Sequence, residues 1–115
     1  MSLRDFAARE KETGAYAAFD YDRMEAAFGP DFVKRLRLSV RQPGDFIAIA
    51  GGKRKKIQDL FVDQKIPKDQ REGIKLLKIG GEVLWMPIFG QKGRYTANFK
   101  LSETTKKVIC IEIIW

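Results

Sequence analysis

Histidine is absent from the 115 residues, and cysteine occurs once. Without histidine there is no Ser-His-Asp triad, no HExxH metal site and no histidine proton shuttle. The single cysteine, Cys110, allows neither an internal disulfide nor a cysteine cluster for zinc, which fits a reducing, cytoplasmic setting. Within KVICIEIIW it reads as a small buried hydrophobe. No run of about 18 apolar residues occurs, so no membrane-spanning helix is expected. The opening MSLRDFAAREKETG lacks the apolar stretch of a secretory signal. Met1 to Leu3 read as a cloning remnant, and so polar a start suggests a piece of a longer chain. Residues 1–15 are then expected to be a linker, and 16–115 one domain. For catalysis there remain carboxylate pairs, lysines and the lone thiol, and no nucleophile has an evident base.

What is present is basic charge, unevenly spread. The formal net charge is +7. From Met1 to Phe32 acids exceed bases, seven to four. From Val33 to Lys56 eight bases (Lys34, Arg35, Arg37, Arg41 and Lys53 to Lys56) face Asp45 alone. An excess equal to that of the whole chain thus lies in about a fifth of its length, which points to a sign-segregated surface and an anionic partner.

The pattern of apolar residues reads as α+β and β-rich. Strands are expected over Tyr16–Phe19, Val33–Arg41, Phe46–Ala50, Lys75–Ile79, Glu82–Met86 and Lys106–Trp115. Gln42-Pro43-Gly44-Asp45 is a turn, and Gly80-Gly81 joins a hairpin. The last strand is apolar on both faces and is expected in the interior. Helical segments are expected at Arg23–Phe28, stopped by Gly29-Pro30, and from Ile57 to Ile66. In the latter, Ile57, Leu60 and Phe61 form an apolar stripe. Pro67 then opens a further turn through Lys68 to Glu72, and Ile88 to Gly93 reads as loop.

GGKRKKIQDLFVDQKIP, Gly51 to Pro67, holds the densest charge, read as a cationic loop ahead of a short helix. It is no P-loop, because Gly52-Lys53 is followed by Arg54 and no glycine stands five residues before Gly52. Glycines, clustered cations and helix amides do suit the phosphates of a nucleic-acid backbone. Asp59 and Asp63 resemble a carboxylate pair, but Asp59 suits the helix dipole and a nearby lysine, and Asp63 suits solvent. Trp85 and Phe61 lie on apolar faces and read as core.

RQPGD (Arg41–Asp45), GGKRKKIQDLFVDQKIP, Arg71 and GGEVLWMP (Gly80–Pro87) together resemble the C-terminal domain of bacterial tRNA(Ile)-lysidine synthetases. The similarity runs from about Ala18 to the end, through Thr104 and Thr105. Phe46 stands after PGD, where family members often carry a base. The resemblance implies a three-layer arrangement around an unusual β-sandwich with two or three short helices, related to a domain of the phenylalanyl-tRNA synthetase β chain. It implies a parent enzyme, a ligase that converts the wobble cytidine of a CAU anticodon to lysidine using ATP, magnesium and lysine. The SGGxDS-type ATP loop of that enzyme is absent here, so this piece is expected to be non-catalytic and without a cofactor of its own. Its expected partners are the isoleucine tRNA, held at its acceptor arm, and the N-terminal catalytic domain. The residues expected to contact RNA phosphate and ribose are Arg41, Lys53, Arg54, Lys55, Lys56, Lys65, Lys68 and Arg71. A protein-interaction domain, including self-association as a homodimer, is the alternative.

Overall fold

Residues 15–88 and 91–113 are described by the computed structural model. The expected linker, but for Ala15, the tip of the Ile88–Gly93 segment and the terminal Trp115 lie outside them. Strand β1 spans Ala15–Asp20 and runs directly into helix α1, Tyr21–Phe28. Asp20 caps the helix, its Oδ1 accepting from the Arg23 amide at 3.1 Å, and its Oδ2 accepts from the Thr105 hydroxyl at 2.9 Å. Gly29, at φ 97°, and Pro30 end α1.

The segment read as a strand from Val33 is first a single helical turn, α2 (Phe32–Arg35), and only then strand β2 (Arg37–Ser39). Phe32 and Leu36, four apart, reach the same core cluster through that turn. Arginine side chains hold it: Arg35 Nη1 donates to the Phe28 carbonyl at 2.6 Å, and Arg37 Nη1 to those of Lys34 and Leu36 at 2.7 and 2.9 Å. The local alternation that suggested a longer strand gives way to this capping of exposed carbonyls.

The remaining elements are β3 (Phe46–Ile49), β4 (Lys53–Lys56), α3 (Ile57–Asp63), α4 (Lys68–Arg71), β5 (Leu76–Ile79), β6 (Glu82–Ile88), β7 (Gln91–Tyr95) and β8 (Val108–Ile113). A sheet in the order β2-β5-β6-β3-β4 carries β7 on β6 as its sixth strand. All its pairings are antiparallel except β3 with β6. The expected β5–β6 hairpin forms, with Gly80 at φ 58° in its turn. The expected loop after Ile88 is instead mostly strand, since Ile88 pairs with Gln91 and Met86 with Arg94.

The two faces of this sheet carry two clusters and so define three layers. On one face Leu77, Ile79, Leu84 and Trp85 pack with Ala17, Phe19, Met24 and Phe32 from β1, α1 and α2. Trp85 is fully buried and stacks on Tyr95, with ring centroids 6.0 Å apart. On the other face Ile47, Leu76, Val83 and Met86 meet the Ile57, Leu60 and Phe61 stripe of α3. Both aromatics read as core, Phe61 and Trp85, are core. The molecule is therefore α+β and strand-rich, with few and short helices.

β8 departs from its expected interior place. It pairs with β1 alone, in a two-stranded sheet, from Ala15↔Ile113 to Asp20↔Val108. Its residues are half-buried, Cys110 included, and Glu112 is exposed. Ile109, Ile111 and Ile113 pack against the first cluster. On the other face of this small sheet the buried Tyr16 donates its hydroxyl to Glu112 Oε1 at 2.8 Å.

Candidate nucleic-acid interface

Lys53 to Lys56 are not a loop. They form β4, the edge strand that pairs with β3 in the register Ile49↔Lys53 to Phe46↔Lys56. Two glycines make the reversal possible, Gly51 at φ 81° and Gly52 at φ 73°, where a side chain would be strained. Strand alternation then divides the run: Lys53 and Lys55 share a face with Ile49 and Ile47, and Arg54 and Lys56 share the other with Ala48 and Phe46. Lys55 is half-buried and ion-paired to Asp63 of α3. Asp63 is exposed, as expected, and is in addition the partner of a strand cation. The Arg54 guanidinium lies over the Phe46 ring, 4.3 Å from its centroid. Glu82, opposite Phe46 in the sheet, has its carboxyl pKa raised by burial, with the nearby Arg54 charge opposing the rise. The first helix amide after the run, that of Ile57, donates to the Asp45 carbonyl at 3.1 Å. It is not available to a ligand.

A second set of cations gathers on the other flank of α3. The helix ends in a left-handed turn: Lys65 N–H donates to Val62 O and Ile66 N–H to Phe61 O, both at 3.0 Å. Lys65 occupies the left-handed position at φ 56°, where glycine is the usual residue, and Ile66 folds back toward Phe61 in the core. Pro67 caps α4. Arg71 Nε donates to the Ile66 carbonyl at 2.9 Å, which fixes the half-buried arginine at the turn. Opposite stands the segment after β2. Val40, Arg41, Gln58, Phe61, Lys68, Arg71 and Glu72 line a surface groove of about 640 Å³ between them.

Of the eight cations selected from the sequence, Arg41, Lys68 and Arg71 are therefore brought together, although 30 positions separate the first from the last. Lys65 sits on the turn between α3 and α4 and does not line the groove. The four of β4 do not join it. At about 100° per residue, Gln58 and Phe61 stand roughly 140–160° around α3 from Asp63, the residue that meets β4.

Sequence reasoning missed the pair that supports the groove's near wall. Lys78 and Asp45 are buried, their side chains 6% and 4% exposed, with Nζ 2.5 Å from Oδ2. Lys78 Nζ also donates to the Val40 carbonyl at 3.0 Å, and the Gln42 amide donates to Asp45 Oδ2 at 2.8 Å. Two signals were there to read. Asp45 is the lone acid of the basic segment, and Lys78 interrupts the apolar run LLKI.

The model of the TilS substrate C-terminal domain matches residues 36–110. The chain belongs to this family. A tRNA(Ile)-lysidine synthase of Persephonella marina is 38% identical over 103 residues, which are 90% of this chain and 21% of that protein. One of Clostridium perfringens is 38% identical over 94 residues, 81% of this chain and 19% of that protein. The chain spans about a fifth of the length of these relatives. A crystal structure of a TilS C-terminal domain superposes with a TM-score of 0.59 at 22% identity, covering 89% of this chain and 70% of that one. The fold of the TilS C-terminal domain and the strand-rich, three-layer fold described above are therefore alike. The family match contains the RQPGD turn, β4, the groove and the Asp45–Lys78 pair.

No helix among the described residues is long and apolar enough to cross a membrane. Nor do three or more His, Cys, Asp or Glu among them gather where a metal ion could be held.

Proposed function

We propose that this chain is the RNA-positioning, non-catalytic domain of a cytoplasmic tRNA(Ile)-lysidine synthase. Residues 1–15 would be the linker to its catalytic part, and 16–115 the domain itself. The parent enzyme would use ATP, magnesium and lysine on the wobble cytidine of the CAU anticodon, and this domain would hold the same tRNA at its acceptor arm. The observation that carries the reading is the groove. It collects Arg41, Lys68 and Arg71 from two separate segments around an apolar floor of Val40 and Phe61. Guanidinium forks and an ammonium so placed suit phosphate oxygens, and Gln58 and Glu72 beside them suit ribose hydroxyls. Lys53, Arg54, Lys56 and Lys65, all exposed, would add outlying phosphate contacts, and Lys55 a weaker one because Asp63 neutralises it. Such contacts orient RNA without reading its sequence.

The test is the salt dependence of binding to an unmodified CAU-anticodon tRNA transcript. Each phosphate contact contributes about 0.7 to 0.9 to the slope of log affinity against log salt. Arg41→Gln, Lys68→Gln and Arg71→Gln combined should flatten the slope by about two to three units. An unchanged slope with an unchanged melting temperature would remove the groove from RNA binding. That outcome would leave the protein-interaction reading, with a homodimer as one form of it.

A further inference from the structure

Lys78 lies in the middle of β5, whose four residues are all buried, and it is paired there with an acid 33 positions earlier in the chain. A buried ion pair is a poor device for stability, because the desolvation of two charges offsets most of their attraction, and apolar residues of similar size often serve as well or better. What the pair does provide is geometry. Lys78 Nζ holds the Val40 carbonyl at 3.0 Å, and Asp45 Oδ2 holds the Gln42 amide at 2.8 Å. Arg41 is the one residue between these two anchors. The backbone of Asp45 reaches further: its amide donates to Gln42 O, and its carbonyl accepts the Ile57 amide, the first of α3, both at 3.1 Å. The helix that begins there supplies Gln58 and Phe61 to the groove. One buried clasp thus fixes both the arm that carries Arg41 and the wall that Arg41 faces.

We infer that Asp45 and Lys78 are positioning residues for the anion groove, holding Arg41 in register with Lys68 and Arg71. The inference rests on the phosphate-binding reading of that groove. An exposed arginine on an untethered turn would lose side-chain and backbone freedom on meeting a phosphate. Clamped on either side, Arg41 presents its fork with the backbone already ordered. The clasp touches no RNA and acts through Arg41.

The experiment uses the 115-residue chain and the CAU-anticodon tRNA transcript, with salt slopes and melting curves measured for each variant. Arg41→Gln should flatten the slope by about one unit. Asp45→Leu with Lys78→Met, which replaces the pair by apolar residues, should keep a cooperative melt and flatten the slope by the same amount. Adding Arg41→Gln to that double variant should then change nothing more. A full slope in the double variant, or a further loss when Arg41 is also replaced, would overturn the inference. A glycine inserted between Arg41 and Gln42 leaves the pair untouched while lengthening the tethered segment, and it decides the matter should the double variant fail to fold. Weakened binding at an unchanged melting temperature supports the clasp, and unchanged binding refutes it. If Lys68→Gln and Arg71→Gln weaken binding but Arg41→Gln does not, the groove reading survives and the clasp fails. If none of the three weakens binding, the groove reading itself is wrong.

Discussion

The β3–β4 hairpin and the groove hold two kinds of positive charge. In the hairpin four cations adjacent in sequence are parted in space, two to each face of an edge strand, and one is neutralised by Asp63. In the groove three cations from distant segments converge, one held by a carbonyl and one between two backbone anchors. Charge density along a chain is a poor guide to charge density on a surface, because strand pleating splits it between two faces and folding gathers it elsewhere. The hairpin run also has a sufficient reason to exist without RNA. Lysines on an edge strand keep a second sheet from pairing with it.

Removing the groove's support should have the largest effect. Lys78→Met alone leaves Asp45 buried without its counter-charge and should cost about 3–5 kcal/mol in denaturant unfolding. Lys53→Gln, Arg54→Gln and Lys56→Gln should each move stability by less than about 0.5 kcal/mol. In RNA binding the same hairpin changes should flatten the salt slope by less than the groove changes do. A hairpin loss equal to or above the groove loss would reverse the comparison. Lys65→Gly should raise stability by about 1 kcal/mol, since glycine takes the left-handed turn without strain, while lowering the slope by no more than about one contact. A fall in stability would mean that the lysine stem packs usefully. Asp63→Asn frees Lys55; if the hairpin meets RNA at all, the slope should steepen by up to about one unit. No change would leave β4 as a solvated edge.

The smallest effect belongs to Glu82, beside Arg54. Its pKa is raised above the ordinary 4.5 in the folded protein, chiefly by burial. The folded state therefore favours the neutral carboxyl. That contribution is fully present below the unfolded pKa and is lost as pH rises through the folded one. Glu82→Gln should accordingly melt slightly higher than wild type at neutral pH, with the difference closing in acid. A gap that widens in acid would show the Arg54 attraction to outweigh burial.

Local rules made much of this fold legible. Ile57, Leu60 and Phe61 at helical spacing gave α3, Gly80-Gly81 gave the β5–β6 turn, and Pro67 marked the start of α4. The strand character of Lys53 to Lys56 was not legible, because it comes from pairing with Phe46 to Ile49 and not from any propensity of lysine. The α2 turn was hidden for a similar reason, since arginine capping and the burial of Phe32 decide it. Among the candidate site residues, basic type and motif selected Arg41, Lys68 and Arg71 together with five that do not line the groove. What separates the two groups is position in three dimensions. The sequence marked the two halves of the buried pair separately, as a lone acid and an interrupted apolar run, but not their contact, which joins β5 to the turn before β3.

The small sheet has a consequence for how the molecule is made. Its register joins Ala15 to Ile113, so the strand that begins the described chain waits for the one that ends it. During synthesis the α3 face of the large sheet can assemble first, from residues 46–88, while β1 remains without its partner until 108–113 have emerged. Closing so long a loop is slow in comparison with local pairing. Until it closes, Phe19 and its neighbours lack the cover of Ile109, Ile111 and Ile113, and a nascent domain stalled at that stage would offer an apolar sheet face to chaperones or to aggregation.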